Sequence, residues 1–443
     1  MSVTSASTDT DDSFGEEVRP SDPAMRPPLH RFGRGIGAQC EELERFFRKT
    51  FIFLSGAVLT AFALLTASCA ASGGAASPSS APLPKPLQRI VEARAAPTDD
   101  SFEVFVCDVP VPTADPLYGD MTLRLSLDPA EIADVLEQNV RPYFEALSHG
   151  LYHPRFSGGD VITMTSSETH DQCVERAIST SAADAAAVLV VANAEHLESE
   201  PGGWGKEGTV CDDDFCSAST TGRAVYVGAS DFSSDWGPVP LLDLIEHEMG
   251  HTLGLPHSGD GSPDAHESAL DMMSNSAAPR EVQPARKNAQ DTLAINRVAL
   301  GWLDSSDIDV AGASGGTFTL DSSTGAHGRR LLVLPIDDDV FLTVEYLRAD
   351  GFDDFLPSSG IAVHRIDQSP SACGRSQTSD EPCIRADRSQ ATLGSPVPHT
   401  ALLHEIGDAW VLDGWRIEVT GSTGGSDGAH PEQMRVEVRP TDR

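Results

Sequence analysis

Apolar residues recur at helical spacing after Asp128: Ile132, Val135, Leu136, Val140, Tyr143, Phe144 and Leu147. The spacing predicts a helix capped by Asp128, opened by Pro129 and ended near Gly150, with Pro142 as a point of kinking. Residues 102–106 alternate weakly and read as a strand, as do residues 161–164 and 223–227. Residues 185–192 (AAAVLVVA) are apolar throughout, the mark of a strand buried on both faces. Residues 173–181 read as helix, and Leu241, Leu242, Leu244, Ile245 and Met249 place another over 241–251. Mixed strands and helices of this kind predict an α/β (α+β) layer. Past Asp304 the pattern changes. Residues 316–320, 330–334, 341–346, 361–365, 415–419 and 434–438 are short strand-like runs between Gly, Asp, Ser and Pro turns, which predicts an antiparallel β-rich domain.

Upstream, residues 50–67 carry no charge and are just long enough to span a bilayer. Arg45, Arg48 and Lys49 precede the run, so the N-terminus is expected in the cytoplasm and the body outside. Three outcomes stay open: an uncleaved signal anchor, a cleaved secretory signal, or lipidation at Cys69. The residues before Cys69 resemble a bacterial lipobox loosely, because Leu65 lies one place too far upstream. A start at Met25 would leave a shorter, more basic leader. The expected organisation is a disordered tail (1–49), the anchor or signal (50–70), an Ala/Ser/Pro linker (71–100), a first folded domain (101–304) and the β-rich domain (305–443).

The chain has 443 residues, 40% of them hydrophobic, which is enough for several cores. Its net charge of −36 excludes nucleic acid as a partner and favours solubility, with calcium binding as a secondary reading. Of eight cysteines, Cys40 and Cys69 flank the leader. The other six suggest three disulfides in an oxidising compartment. Proximity favours Cys211–Cys216 and Cys373–Cys383, and elimination leaves Cys107–Cys173.

One stretch carries chemistry: His247-Glu248-Met249-Gly250-His251-Thr252-Leu253-Gly254-Leu255-Pro256-His257, an HExxHxxGxxH pattern. Histidines four apart on a helix point the same way and can grip one metal ion. Gly254 permits the turn that brings His257 round as a third ligand. Three protein ligands leave one position open on Zn²⁺, as catalysis requires. Glu248 is placed to act as general base on water. The arrangement points to a zinc-dependent hydrolase, most readily a peptidase.

The motif resembles that of the metzincins, which carry a methionine turn below the metal. Leu270-Asp271-Met272-Met273-Ser274 supplies one, with Met273 as the turn methionine and Met272 as the alternative. Asn275 stands where some metzincins have a tyrosine, so no tyrosine ligand is assigned. More of the chain resembles the bacterial immune inhibitor A family: residues 143–150, Leu300-Gly301-Trp302-Leu303, Val344-Glu345-Tyr346 and residues 360–367. The resemblance runs patchily from Phe102 to Asp367. It implies a metzincin-like catalytic domain with a zinc cleft, and an endopeptidase acting on extracellular proteins. The chain departs from that family in its membrane-proximal leader and in having only a short linker where a propeptide often stands.

Other candidates carry less. Asp212, Asp213 and Asp214, with Asp260 and Asp264, are possible Ca²⁺ ligands but match no calcium loop. Residues 337–339 read as a hairpin turn, His266 as a loop residue, and Glu345 and His364 as local structure. No GxSxG elbow is present. Expected partners are a protein or peptide substrate, paired with a sheet edge at 223–227, and a membrane through the leader. Two alternatives stay open: an inactive surface binding protein with structural zinc, and a zinc hydrolase of cell-wall peptides.

Overall fold

The computed structural model describes residues 81–93, 97–113, 123–196, 203–207, 222–232, 242–258, 268–369, 386–389, 402–424 and 430–441. The tail, the apolar run at 50–67 and Cys69 lie outside these. Among the described residues no helix is long and apolar enough to cross a membrane.

Helix α1 (Lys85–Ala93) forms inside the segment expected to be a linker. Its Leu87 and Ile90, three apart on one face, are buried with Leu331, Val333, Phe341 and Ile366. Lys85 and Arg89 reach Asp338 and Asp339 at 3.3 and 2.9 Å. The linker assignment for 71–100 therefore fails over α1, and the folded body starts before Ser101.

Next come β1 (Asp99–Asp108), α2 (Pro129–Leu147), β2 (His153–Thr163), α3 (His170–Thr180), β3 (Ala187–Ala192), β4 (Gly203–Lys206) and β5 (Ala224–Val227). Helices α4 (Leu242–Thr252), α5 (Ala278–Val282) and α6 (Ala294–Ala299) follow. The Asp128 carboxylate caps α2 by accepting from the Ala130 and Glu131 amides at 2.8 and 3.3 Å. That helix continues through Pro142 to Leu147. The sheet order is β2-β1-β3-β5-β4. Its neighbours run parallel except β4, which is antiparallel to β5. Val104, Val106, Leu189, Val191, Val225 and Val227 pack in one core with residues of α2 and α4. Phe105, Cys107, Val188, Val190, Ala224 and Tyr226 pack in another with α3. Burial on both faces explains the unbroken apolar run of β3.

Cys107 of β1 is bonded to Cys173 of α3, on the face away from α4. The expected Cys211–Cys216 and Cys373–Cys383 pairs lie outside the described residues.

The remaining strands are β6 (Ile308–Val310), β7 (Gly316–Asp321), β8 (Leu331–Pro335), β9 (Val340–Leu347), β10 (Gly360–Asp367), β11 (Ala386–Ser389), β12 (Ala409–Leu412), β13 (Trp415–Thr423) and β14 (Gln433–Pro440). They form two sheets, β11-β10-β9-β8-β6 and β12-β13-β14-β7. Pairing is antiparallel, as expected, apart from β6, which joins β8 in parallel. Leu332, Leu342, Val344 and Tyr346 from the first sheet pack against Phe318, Ile417, Val419 and Val436 from the second. The turn between β8 and β9 is the expected one: the Asp337 carboxylate accepts from the Asp339 and Val340 amides at 2.9 and 2.8 Å. No core boundary falls at residue 304. Ile295 and Val298 of α6 share one core with α1, β8 and Phe341 of β9, and residues 76–443 group as one unit. Among the described residues the fold is mixed α and β with three sheets, an α+β arrangement.

Candidate metal centre

Helix α4 sets His247 and His251 one turn apart. Gly254 follows with φ +85°, a left-handed turn that brings His257 back beside them. One ligand atom from each histidine lies within 4.8 Å of the others. His251 Nε2 and His257 Nε2 are 2.9 Å apart. His247 Nδ1 lies 2.7 Å from the Met272 carbonyl, and His251 Nδ1 lies 2.7 Å from the Leu255 carbonyl. A carbonyl only accepts, so both Nδ1 atoms carry the proton and both Nε2 atoms present lone pairs. Orientation by a backbone carbonyl is what metal-ligating histidines need. Two nitrogens on a tetrahedral Zn²⁺ stand about 3.3 Å apart at the usual bond length. The three imidazoles are clustered closely enough that they could hold such an ion.

The segment below the histidines is a turn held by a buried carboxylate. Asp271 is fully buried and accepts from Ser258 Oγ at 2.6 Å, Thr292 Oγ1 at 2.9 Å and Asn296 Nδ2 at 3.1 Å. Burial pushes its pKa up, and the hydrogen bonds from Ser258 and Thr292 oppose that shift. The Ser258 amide donates to the Met273 carbonyl at 2.9 Å, which ties the residue after His257 to the same turn. Both methionines lie against α4: a Cβ built on Gly250 would be 2.3 Å from the Met273 sulfur and 3.2 Å from Met272 Cε. Met272 has another task. Its carbonyl orients His247, and its sulfur lies 3.2 Å from the Tyr143 hydroxyl. Asn275 turns its amide to Glu281 at 3.4 Å.

Two acidic residues of α4, Asp243 and Glu246, are buried. Asp243 pairs with Arg280 at 3.0 Å, and Glu246 accepts from the Ala289 amide at 2.7 Å and from Asn288 Nδ2. Burial raises both carboxyls, Glu246 far more than Asp243, where Arg280 pulls back.

Glu248 is buried, and β4 crosses directly over it. A Cβ on Gly203 would lie 3.3 Å from Glu248 Cγ, and one on Gly205 would lie 1.9 Å from the Glu248 carbonyl oxygen. Trp204 and Lys206 alternate to the other side, where Trp204 stacks on Tyr226 with 5.9 Å between centroids. The sheet edge beside the histidines is therefore β4. Residues 223–227, expected to offer that edge, contribute β5, which is paired on both sides by β3 and β4. The Gly-Trp-Gly-Lys alternation was the available signal, hidden because glycine is uncommon inside strands.

Glu345 and His364 are buried on β9 and β10 and are not among the clustered metal-binding side chains. Glu345 accepts from the Ala294 amide at 3.0 Å and lies 3.8 Å from His364 Nδ1. Burial pushes Glu345 up to about 7 and His364 down to about 4, so near pH 6 both are neutral rather than an ion pair. Asp212, Asp213, Asp214, Asp260, Asp264 and His266 lie outside the described residues. Arg297, fully buried, has no local pattern in the sequence to mark it; it donates to the Leu147 and Thr292 carbonyls at 3.2 and 2.7 Å and to Asp291.

No protein-family model matches the chain, and no curated protein does. Among solved structures, a chain from one described as "Structure of a chaperone-substrate complex" is similar at 14% identity and a TM-score of 0.21. The match covers 46% of this chain and 35% of that one, so it spans about a third of the other protein. A likeness that slight says nothing about fold or function.

Proposed function

We propose that the chain is a zinc-dependent endopeptidase of metzincin type, similar to the immune inhibitor A family, acting on proteins outside the cell. The observation that carries this reading is the convergence of His247, His251 and His257 beside Glu248. His247, His251 and His257 would hold Zn²⁺, which would supply a Lewis acid and lower the pKa of water to about 7. Glu248 takes the proton of the attacking water and hands it to the leaving amine. An extended substrate segment adds beside β4, the last strand of its sheet among the described residues, whose glycines keep it close over Glu248. The turn at residues 270–274, with Met273 under α4, supports the metzincin assignment. The Cys107–Cys173 bond supports an oxidising compartment, in keeping with export.

A binding protein with structural zinc would need a closed site. Among the described residues, no fourth His, Cys, Asp or Glu joins the cluster. The test is digestion of a peptide library by the full chain and its Glu248→Gln variant. The parent should cleave, and the variant should bind zinc without cleaving. Chelation should silence the parent. Equal cleavage by the variant would rule out Glu248 as the base, and cleavage that survives complete metal removal would end the reading.

A further inference from the structure

The connection between β9 and β10 does more than close a hairpin. It reaches the loop at residues 286–291, which is hydrogen-bonded to the turn at residues 270–274. Phe352 packs edge-on against Tyr143 of α2, with 4.6 Å between ring centroids. Asp353 is almost fully buried, and its Oδ1 accepts from the Asp291 amide at 3.1 Å. Asp354 pairs with Arg286 at 2.6 Å, and Arg286 also donates to the Phe352 and Ala289 carbonyls. From Asp291 the connection continues. The Met272 amide donates to the Asp291 carbonyl at 3.0 Å, and the Met272 carbonyl holds His247 Nδ1 at 2.7 Å. The Tyr143 hydroxyl donates to the Gln290 carbonyl at 2.6 Å, so Phe352 bears on the same loop by a second route.

Residues 288–293 form neither helix nor strand, and neither do residues 270–274. No ladder of backbone bonds sets their height under α4. Cross-links of the kind just described do it instead. Three hydrogen bonds separate the Asp353 carboxyl from a metal-ligating ring.

We propose that the β9–β10 connection is a positioning brace for the metal centre: Phe352 and Asp353 set residues 289–292, and through Met272 they set the orientation of His247. Neither residue touches metal or substrate; both are positioning residues. The β region is then part of the metal site's scaffold and not a detachable accessory. Burial and the nearby Asp291 carboxylate hold the Asp353 carboxyl well above the usual range, which suits a neutral group accepting one backbone hydrogen bond. An amide side chain can accept that bond equally well.

This inference rests on the metallopeptidase reading. Its test uses the full chain, with zinc affinity measured by chelator competition well below the melting temperature, and with kcat and KM on a cleaved peptide. Asp353→Ala should weaken zinc binding about tenfold or more, the range for lost support behind a ligand, and lower kcat with KM nearly unchanged. Asp353→Asn should recover most of both losses. A purely structural role would lower the melting temperature of Asp353→Ala and leave zinc affinity and kcat at parent values; that result overturns the brace. If Asp353→Ala does not fold, Phe352→Leu decides: severalfold weaker zinc binding supports the brace, and parent affinity overturns it. A parent that binds no zinc overturns both proposals. A parent that binds zinc without cleaving peptides overturns the peptidase reading alone, and the brace is then judged on zinc affinity.

Discussion

Removing the Asp271 carboxylate should loosen the metal centre from below. Its side chain is sealed from water and receives three side-chain donors, from Ser258, Thr292 and Asn296. In Asp271→Ala all three lose their acceptor inside the fold. At about 1–2 kcal/mol for each stranded donor, the loss is about 3–6 kcal/mol. Asp271→Asn keeps one oxygen and turns an NH₂ group toward the remaining donors, so about 1–2 kcal/mol is expected. The order parent, Asn, Ala should appear in urea unfolding at neutral pH. Zinc affinity should fall in the same order, by about tenfold or more for Ala, because Met272 orients His247 one residue along. An Ala variant within about 1 kcal/mol of the parent would refute the count of stranded donors. Weakened stability with unchanged zinc affinity would refute the link from Asp271 to the histidines.

Gly205→Ala should abolish peptide cleavage and destabilise the fold by about 1–3 kcal/mol, because its Cβ would meet the Glu248 carbonyl oxygen at 1.9 Å. Gly312→Ala, with nothing within 4 Å of its Cβ, is the silent control, and equal activity in the two variants would contradict the close crossing of β4. Replacing both Cys107 and Cys173 with Ser should destabilise by about 4 kcal/mol in the chain-entropy model for a loop of 66 residues, read by denaturant unfolding against the oxidised parent. Glu345 holds a proton in the folded state up to about pH 7, whereas an ordinary glutamate releases it near 4.5. Its contribution is therefore complete below about pH 4.5 and is lost as the pH rises through 7, amounting to roughly 3 kcal/mol. Glu345→Gln should flatten that fall in stability between pH 5 and 8, and an unchanged slope would show that the carboxyl does not titrate there.

The elements that read clearly from the sequence are those whose burial leaves a period. Helix α2 has its apolar stripe and its Asp128 cap, β3 is buried on both faces, and HExxHxxGxxH carries its own spacing rules. The elements that the sequence conceals lack such a period. Helix α1 shows two buried aliphatics, Leu87 and Ile90, in a stretch whose Pro and Ala content reads as linker. Strand β4 is half glycine. Asp271, Arg297 and Asp353 are ionisable residues inside the fold, and such residues ordinarily signal the surface. Their value lies in partners far along the chain, such as Arg297 with the Leu147 carbonyl, and no local pattern announces those.

Strand β4 is only four residues long, about 13 Å of extended chain at the usual rise. In the proposed reading, a target must lend a comparable length of backbone, free of its own ladder or helix. Most folded proteins have no such length to spare, so they are cut when a segment opens locally. Turnover then follows the target's opening equilibrium, and about 1.4 kcal/mol of local destabilisation raises it tenfold. Such an enzyme sorts proteins by how firmly they are folded before it reads a single side chain, and it would clear damaged or half-unfolded chains ahead of intact ones.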